Sequence, residues 1–162
     1  MQHVPQFLTG QTAFIQGVGL LGTVKTVALP KVEQIRETIK QGAFERSIAT
    51  GLFKAMEAEI TLSECHPVAY QAMQELGALI VIKGSLKQAG KDVPVVATFV
   101  GSVDVDDGTW ETGKETERKV KVFCDNYSLT VGGVVQVEMD AKNMIALIMG
   151  VDYAETIRKH IL

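Results

Sequence analysis

The sequence offers little to redox, metal or membrane chemistry. Cys65 and Cys124 are its only cysteines. Neither belongs to a Cys-x-x-Cys pair or to a metal-like spacing, so both are expected to be idle thiols of a reducing cytoplasm. The three histidines, His3, His66 and His160, fall in an arm, at a helix start and in a tail, which is no ligand set. Cys65 and His66 are sequence neighbours whose side chains diverge from one backbone, so a thiolate–imidazole pair is not expected. No apolar run approaches the ~18 residues of a membrane helix. The longest, Met144 to Met149, must be core or interface. The N-terminal Met1-Gln-His-Val-Pro-Gln-Phe7 lacks the basic start and apolar run of a signal peptide. A net charge of −3 argues against a phosphate-binding surface covering the molecule, though not against a local basic patch. Repeats, low-complexity tracts and linkers are absent as well.

What is present is an ordinary globular composition. The chain has 162 residues, 46% of them apolar and 22% charged, which fits one domain with a core that needs no staples. Residues 1–11 are polar, with Pro5 and Gly10, and read as an arm that is either free or docked on a neighbour. Thr12 to Ile15 reads as a short strand, Gln16 to Gly19 as its turn, and Leu20 to Leu29 as a strand ended by Pro30. Residues 31–39 fit either a helix, with Val32, Ile35 and Ile39 on one face, or an extended edge strand. Gln41 to Gly51 reads as a loop bracketed by Gly42 and Gly51. Inside it, Phe44 is either tucked under the loop or inserted into a partner, and Ile48 lies nearby.

Ala55 to Leu62 alternates as a strand should. His66-Pro67 starts the clearest helix, with Val68, Ala72, Met73 and Leu76 as its apolar face and Gly77 as its cap. Leu79 to Leu86 and Val93 to Val105 read as two strands around a polar hairpin loop, Lys87 to Asp92. Arg118 to Val131, the Gly132-Gly133 turn and Val134 to Asp140 form a further hairpin. Asp152 to Leu162 ends as a short amphipathic helix with Ile157 and Ile161 on one side. This order predicts a mainly β protein, an antiparallel β-sandwich or barrel with one internal α-helix and a short C-terminal helix.

Catalytic groups are hard to assemble from these residues. Gly17-Val-Gly-Leu-Leu-Gly22 is formally the GxGxxG of dinucleotide-binding folds. The residues after it are β-branched and stop at Pro30, so no helix N-terminus awaits a pyrophosphate; a turn is expected, with a dinucleotide-binding enzyme as the distant alternative. Asp104, Asp106 and Asp107 lack the spacing and bidentate Glu of a calcium loop. Asp104 to Glu117 holds six acids and one base, Lys114, and Arg118, Lys119 and Lys121 follow. That pattern is either a solvated hairpin beside a compensating strand or a dipolar contact surface suited to head-to-tail stacking of identical subunits. No cofactor and no metal are expected, and no enzymatic activity.

Four segments in one order carry a resemblance. They are Gly22-Thr-Val-Lys-Thr-Val-Ala-Leu-Pro-Lys-Val32, the strand pair Gly84-Ser85, the acidic turn Asp106-Asp-Gly-Thr-Trp-Glu-Thr-Gly-Lys114, and Val137-Glu-Met-Asp-Ala-Lys-Asn143 followed by Ile148-Met-Gly-Val-Asp152. Together they resemble the major tail tube proteins of contractile-tailed bacteriophages, a family shared with R-type pyocins. The match spans roughly residues 12–162. It departs at Gln41 to Leu52, where the family often has a double glycine and a methionine. The resemblance implies one tail-tube domain over residues 1–162, in homohexameric rings that stack into a hollow tube. It implies a place in the virion tail, assembled in the bacterial cytoplasm, with DNA passing through the bore without sequence-specific binding and no membrane insertion of the subunit. Its implied partners are copies of itself, the sheath protein, and baseplate, tape-measure and tail-terminator proteins. A tail completion or baseplate-hub protein of similar fold is the alternative. Subunit contacts are expected at Gly42, Phe44 and Ile48, at Asp104, Asp106, Asp107, Trp110, Glu111 and Lys114, and at Ile157 and Ile161.

Overall fold

A computed structural model describes residues 3–162. The elements in chain order are β1 (Phe7–Ile15), β2 (Val18–Gly19), β3 (Val24–Ala28), β4 (Gln34–Gln41), β5 (Phe44–Phe53), β6 (Met56–Leu62), α1 (Val68–Met73), β7 (Ala78–Gln88), β8 (Lys91–Asp106), β9 (Arg118–Val131), β10 (Val134–Asp140), β11 (Ile145–Ile148), β12 (Val151–Asp152) and α2 (Glu155–Ile161). All pairings are antiparallel. One sheet runs β12-β11-β10-β9-β8-β7-β1-β2, with β6 on β9 and β3 on β6; β4 and β5 form a separate two-stranded sheet. The two ends of the long sheet do not meet among the described residues, so the subunit alone is an open sheet and not a closed barrel.

β9 organises the body. One edge pairs with β8 throughout, while the other takes β6 along Arg118–Cys124 and then β10 along Asn126–Val131. The change of partner coincides with a bulge. Val100 faces Asn126 but Gly101 faces Cys124, which leaves Asp125 as the extra residue. A bulge shifts the inward phase by one: Val120, Val122 and Cys124 point to the core, and the next inward residue is Tyr127. Gly101 is required at this bend, because a Cβ there would lie 1.9 Å from the Phe123 carbonyl oxygen. Phe99 and Tyr127 are directly opposite in register and stack at 5.7 Å. Around them Ile15, Ile60, Leu62, Ile80 and Val122 complete one continuous core.

Several sequence expectations change. The arm is shorter than residues 1–11, since Phe7 to Gln11 already pair with β7. Residues 4–6 dock on the same chain, where Gln88 Nε2 donates to the Val4 carbonyl at 2.6 Å and Gln6 Nε2 donates to Gln88 Oε1 at 3.1 Å. The expected arm's Met1 and Gln2 lie outside the described residues. Residues 34–41 take the extended alternative, and the expected loop Gln41 to Gly51 is mostly strand β5, turned at Gly42-Ala43. Both strands are solvent-exposed along nearly their whole length, so no alternation marks them as β. The polar loop 87–92 shrinks to a tight turn at Ala89-Gly90. α1 is shorter than expected and buries Val68, Ala69 and Ala72, not Met73 and Leu76. Leu76 is 92% exposed, and the helix closes at Gln74 before Gly77. The GxGxxG segment is the β1–β2 turn followed by strand β3, so it provides no helix N-terminus for a dinucleotide.

Candidate assembly surfaces

The expected contact residues fall on three separate elements. The first is the β4–β5 hairpin. Gly42 takes a positive φ of 62° at its tip, a conformation that glycine adopts without strain. Phe44 follows and is 77% exposed, while Ile48 lies mid-strand beside Ile35 and Ile39 in the same exposed class. At its base the hairpin is tied to the body. Lys54 N–H donates to the Glu33 carbonyl at 2.9 Å, and the Phe53 and Tyr153 rings meet edge to face at 6.5 Å.

The second element is the acidic segment. Asp104 sits directly across from Lys121 and Asp106 across from Lys119. The acids lie on β8 and the bases that face them on the adjacent β9. Asp106 Oδ1 accepts the Gly108 N–H at 2.8 Å. Asp107 accepts from Tyr70 Oη at 2.6 Å and from the Arg118 guanidinium, whose residue is only 6% exposed. Arg118 also donates to the His66 carbonyl at 2.9 Å and stacks on the Tyr70 ring at 4.8 Å. The Tyr70 hydroxyl and then Arg118 hold the Asp107 carboxyl below the usual carboxylate range, and the bond to Asp107 raises the Tyr70 phenol. Farther along, Glu111 pairs with Lys114 at 3.0 Å and Glu115 with Lys25 at 3.0 Å. Trp110 remains exposed on this pinned loop. The Tyr70–Asp107–Arg118 cluster was invisible in the sequence, because its members are 37 and 11 residues apart.

The third element is the C-terminal end. Asp140 Oδ1 accepts the N–H groups of Lys142 and Asn143, and Oδ2 accepts Asn143 Nδ2 at 2.7 Å. Asn143 thereby draws the Asp140 carboxyl below its ordinary value. Asp152 is likewise held down: desolvation works against it, and the Ala154 N–H and Arg158 guanidinium outweigh that cost. Arg158 Nη2 lies 2.9 Å from Asp152 Oδ2, and Nη1 donates to the Met144 carbonyl at 2.9 Å. Thus the Asp140–Asn143 and Gly150–Asp152 motifs are turn and docking chemistry that seats α2. Ile157 and Ile161 stay exposed on that helix. An open groove of about 590 Å³ separates the hairpin base from β10, β11 and α2, and its lining includes Leu52, Met139, Met144, Ile145 and Ile157. It has no counterpart in the sequence reading.

Burial pushes the Cys124 thiol up to about 11, so it is protonated near neutral pH. No group of three or more His, Cys, Asp or Glu among the described residues could hold a metal ion. None of the described helices is long and apolar enough to cross a membrane.

Comparison with known proteins agrees with the resemblance read from the sequence. The family model described as phage tail tube protein FII matches residues 5–161. The tail tube protein of Escherichia phage P2 is 29% identical over 98% of this chain and 98% of its own length. The chain therefore belongs to the phage tail tube protein FII family, a structural component of the virion tail and not an enzyme.

Proposed function

We propose that copies of this chain form homohexameric rings, and that the rings stack into the hollow inner tube of a contractile tail, a conduit for DNA through the host envelope. The observation that carries this reading is the β4–β5 hairpin. A lone two-stranded sheet is marginal in water, and this one has nearly every side chain exposed, including five large apolar residues: Ile35, Ile39, Phe44, Ile48 and Leu52. Such an element becomes stable when neighbouring subunits cover it. The open sheet supports the ring. Among the described residues β3 pairs only with β6, and β2 and β12 end the long path, so edges remain that adjacent subunits can extend. A net charge of −3 suits a bore along which DNA slides without sticking.

In this reading the partners are further copies of the chain, the sheath, and the baseplate, tape-measure and tail-terminator proteins. The acidic segment Asp104–Lys114 and the α2 residues Ile157 and Ile161 are contact candidates beside the hairpin. Negative-stain micrographs and sedimentation of the purified protein test the proposal. Stacked rings or tubes are expected. Single rings alone would favour a tail completion or hub role, and a protein that stays monomeric at high concentration would overturn both.

A further inference from the structure

The groove between the hairpin base and α2 lacks an occupant within its own subunit, and the hairpin tip lacks a seat. We propose that these two features fit each other between copies: the groove lined by Leu52, Met139, Met144, Ile145 and Ile157 receives Phe44 of a second copy of this chain. The inference rests on the stacked-ring reading and names the receiving surface within it.

Geometry excludes the chain's own tip. The hairpin's first register pair, Gln34 with Phe53, lies beside the groove, whereas the last, Gln41 with Phe44, is at the far end. At ~3.3 Å per residue the two ends are about 23 Å apart, and a paired ribbon cannot fold back on itself. Other exposed apolar residues lack the reach. Phe7 and Leu8 are held in β1 against β7. Trp110 sits on a loop pinned by Asp107–Arg118 and Glu115–Lys25. Leu162 follows α2, which already walls the groove through Ile157. Phe44, 77% exposed, combines a large apolar surface with a projecting hairpin.

Chemistry points the same way. The groove is mainly apolar, and its volume of about 590 Å³ is in the range of pockets that bury ring-sized groups. Its lining carries two carboxylates and one cation, Asp125, Asp140 and Lys54, and the pair of Asp125 with Lys142 is long, at 3.5 Å. The tip carries Lys40 and Arg46 against the single acid Glu45. Arg46 bonds only weakly to Gln41, at 3.4 Å, and is available to turn toward an acidic rim. Knob and hole are different surfaces of one subunit, so each copy that receives a tip also offers one. This is a heterologous contact, which builds an open stack where its rotation does not close into a ring.

Disulfide trapping tests the pairing. Phe44→Cys and Ala141→Cys, at the tip and the groove wall, are introduced together in a Cys65→Ser, Cys124→Ala background, because Cys124 also lines the groove, and tubes are assembled and oxidised. A ladder of multimers on a non-reducing gel is expected, absent from either single variant. Tubes that form without a ladder overturn the pairing and leave the stacked-ring reading intact. A ladder obtained instead with Phe7→Cys or Leu162→Cys against Ala141→Cys also overturns it, by assigning another occupant. Wild-type protein that never leaves the monomer overturns both proposals. As a measurement independent of cysteine, Phe44→Asp should keep the wild-type circular dichroism and melting curve. It should raise the concentration needed for assembly roughly tenfold or more, the scale set by losing one buried aromatic ring. Unchanged assembly of Phe44→Asp counts against the proposal as directly as a missing ladder.

Discussion

β8–β9 and β4–β5 are both ladders of long antiparallel strands, and they differ in what lies on either side of them. Along β8–β9 the inward residues are Ala97, Phe99, Val103, Val120, Val122 and Tyr127, all buried. β8 and β9 also pair with further strands, β7 on one side and β6 then β10 on the other. Along β4–β5 no side chain is fully buried, and among the described residues no third strand joins. The same backbone hydrogen bonding therefore has two sources of stability. The first ladder stands on apolar burial within the chain. The second relies on its turn, on the bond from Thr50 Oγ1 to the Ile35 carbonyl at 2.7 Å, and on whatever covers it in the assembly. The body specifies itself, and under the proposed assembly the hairpin is specified by its neighbours.

The largest expected effect tests the first half of this contrast. Phe99→Ala removes a fully buried ring and its stacking on Tyr127. Loss of about 3–5 kcal/mol of stability is expected, read as a drop in the urea or thermal midpoint of the unassembled subunit. A loss below ~1 kcal/mol would show that the body is not held by this core.

Legibility in the sequence follows the same division. β9, the Gly132-Gly133 turn and β10 could be read with nearly correct bounds, because half-buried strands alternate and the turn glycines take positive φ, 58° and 81°. From Gln41 onward the sequence of the hairpin predicts a loop, because strands wet on both faces have no alternation to show; Phe44, Ile48 and Leu52 recur every fourth residue instead. Met73 and Leu76 were assigned to the helix face because periodicity says nothing about where a short helix stops. The groove and the Tyr70–Asp107–Arg118 cluster are products of tertiary proximity. No local pattern encodes contacts between residues 70, 107 and 118. Of the candidate contacts, the acidic stretch was visible as a charge run, but its internal pairing was not.

A smaller effect sharpens the contrast at the acidic segment. Asp107 is held below its ordinary value first by the Tyr70 hydroxyl and then by Arg118. A depressed carboxyl contributes stability that is present above the unfolded value near ~3.9 and is lost as pH falls through the folded value. Asp107→Asn should therefore melt below wild type near neutral pH, and the gap should narrow as pH falls below about 4. A gap independent of pH would mean that the ion pair does not clamp this loop to α1. If the clamp holds, the segment presents a fixed surface to neighbours, unlike the hairpin.

The smallest expected effect on the subunit is the sharpest test of the hairpin. Ile48 lies on β5 with 38% of its surface exposed and no core neighbour. Ile48→Ser should move the stability of the unassembled subunit by no more than ~0.5 kcal/mol, the usual range for surface substitutions. The assembled tube should respond differently. If neighbouring copies cover the hairpin, the serine leaves a polar group facing apolar surface, and tubes should dissociate at a lower urea concentration than wild type while the subunit's own unfolding is unchanged. A change confined to the unassembled subunit would mean that the hairpin belongs to the body's fold, and the distinction between the two ladders would fail. A change confined to the tube would locate the hairpin's stability in the assembly, because a side chain with no core neighbour in one subunit responds mainly to the contacts that another subunit supplies.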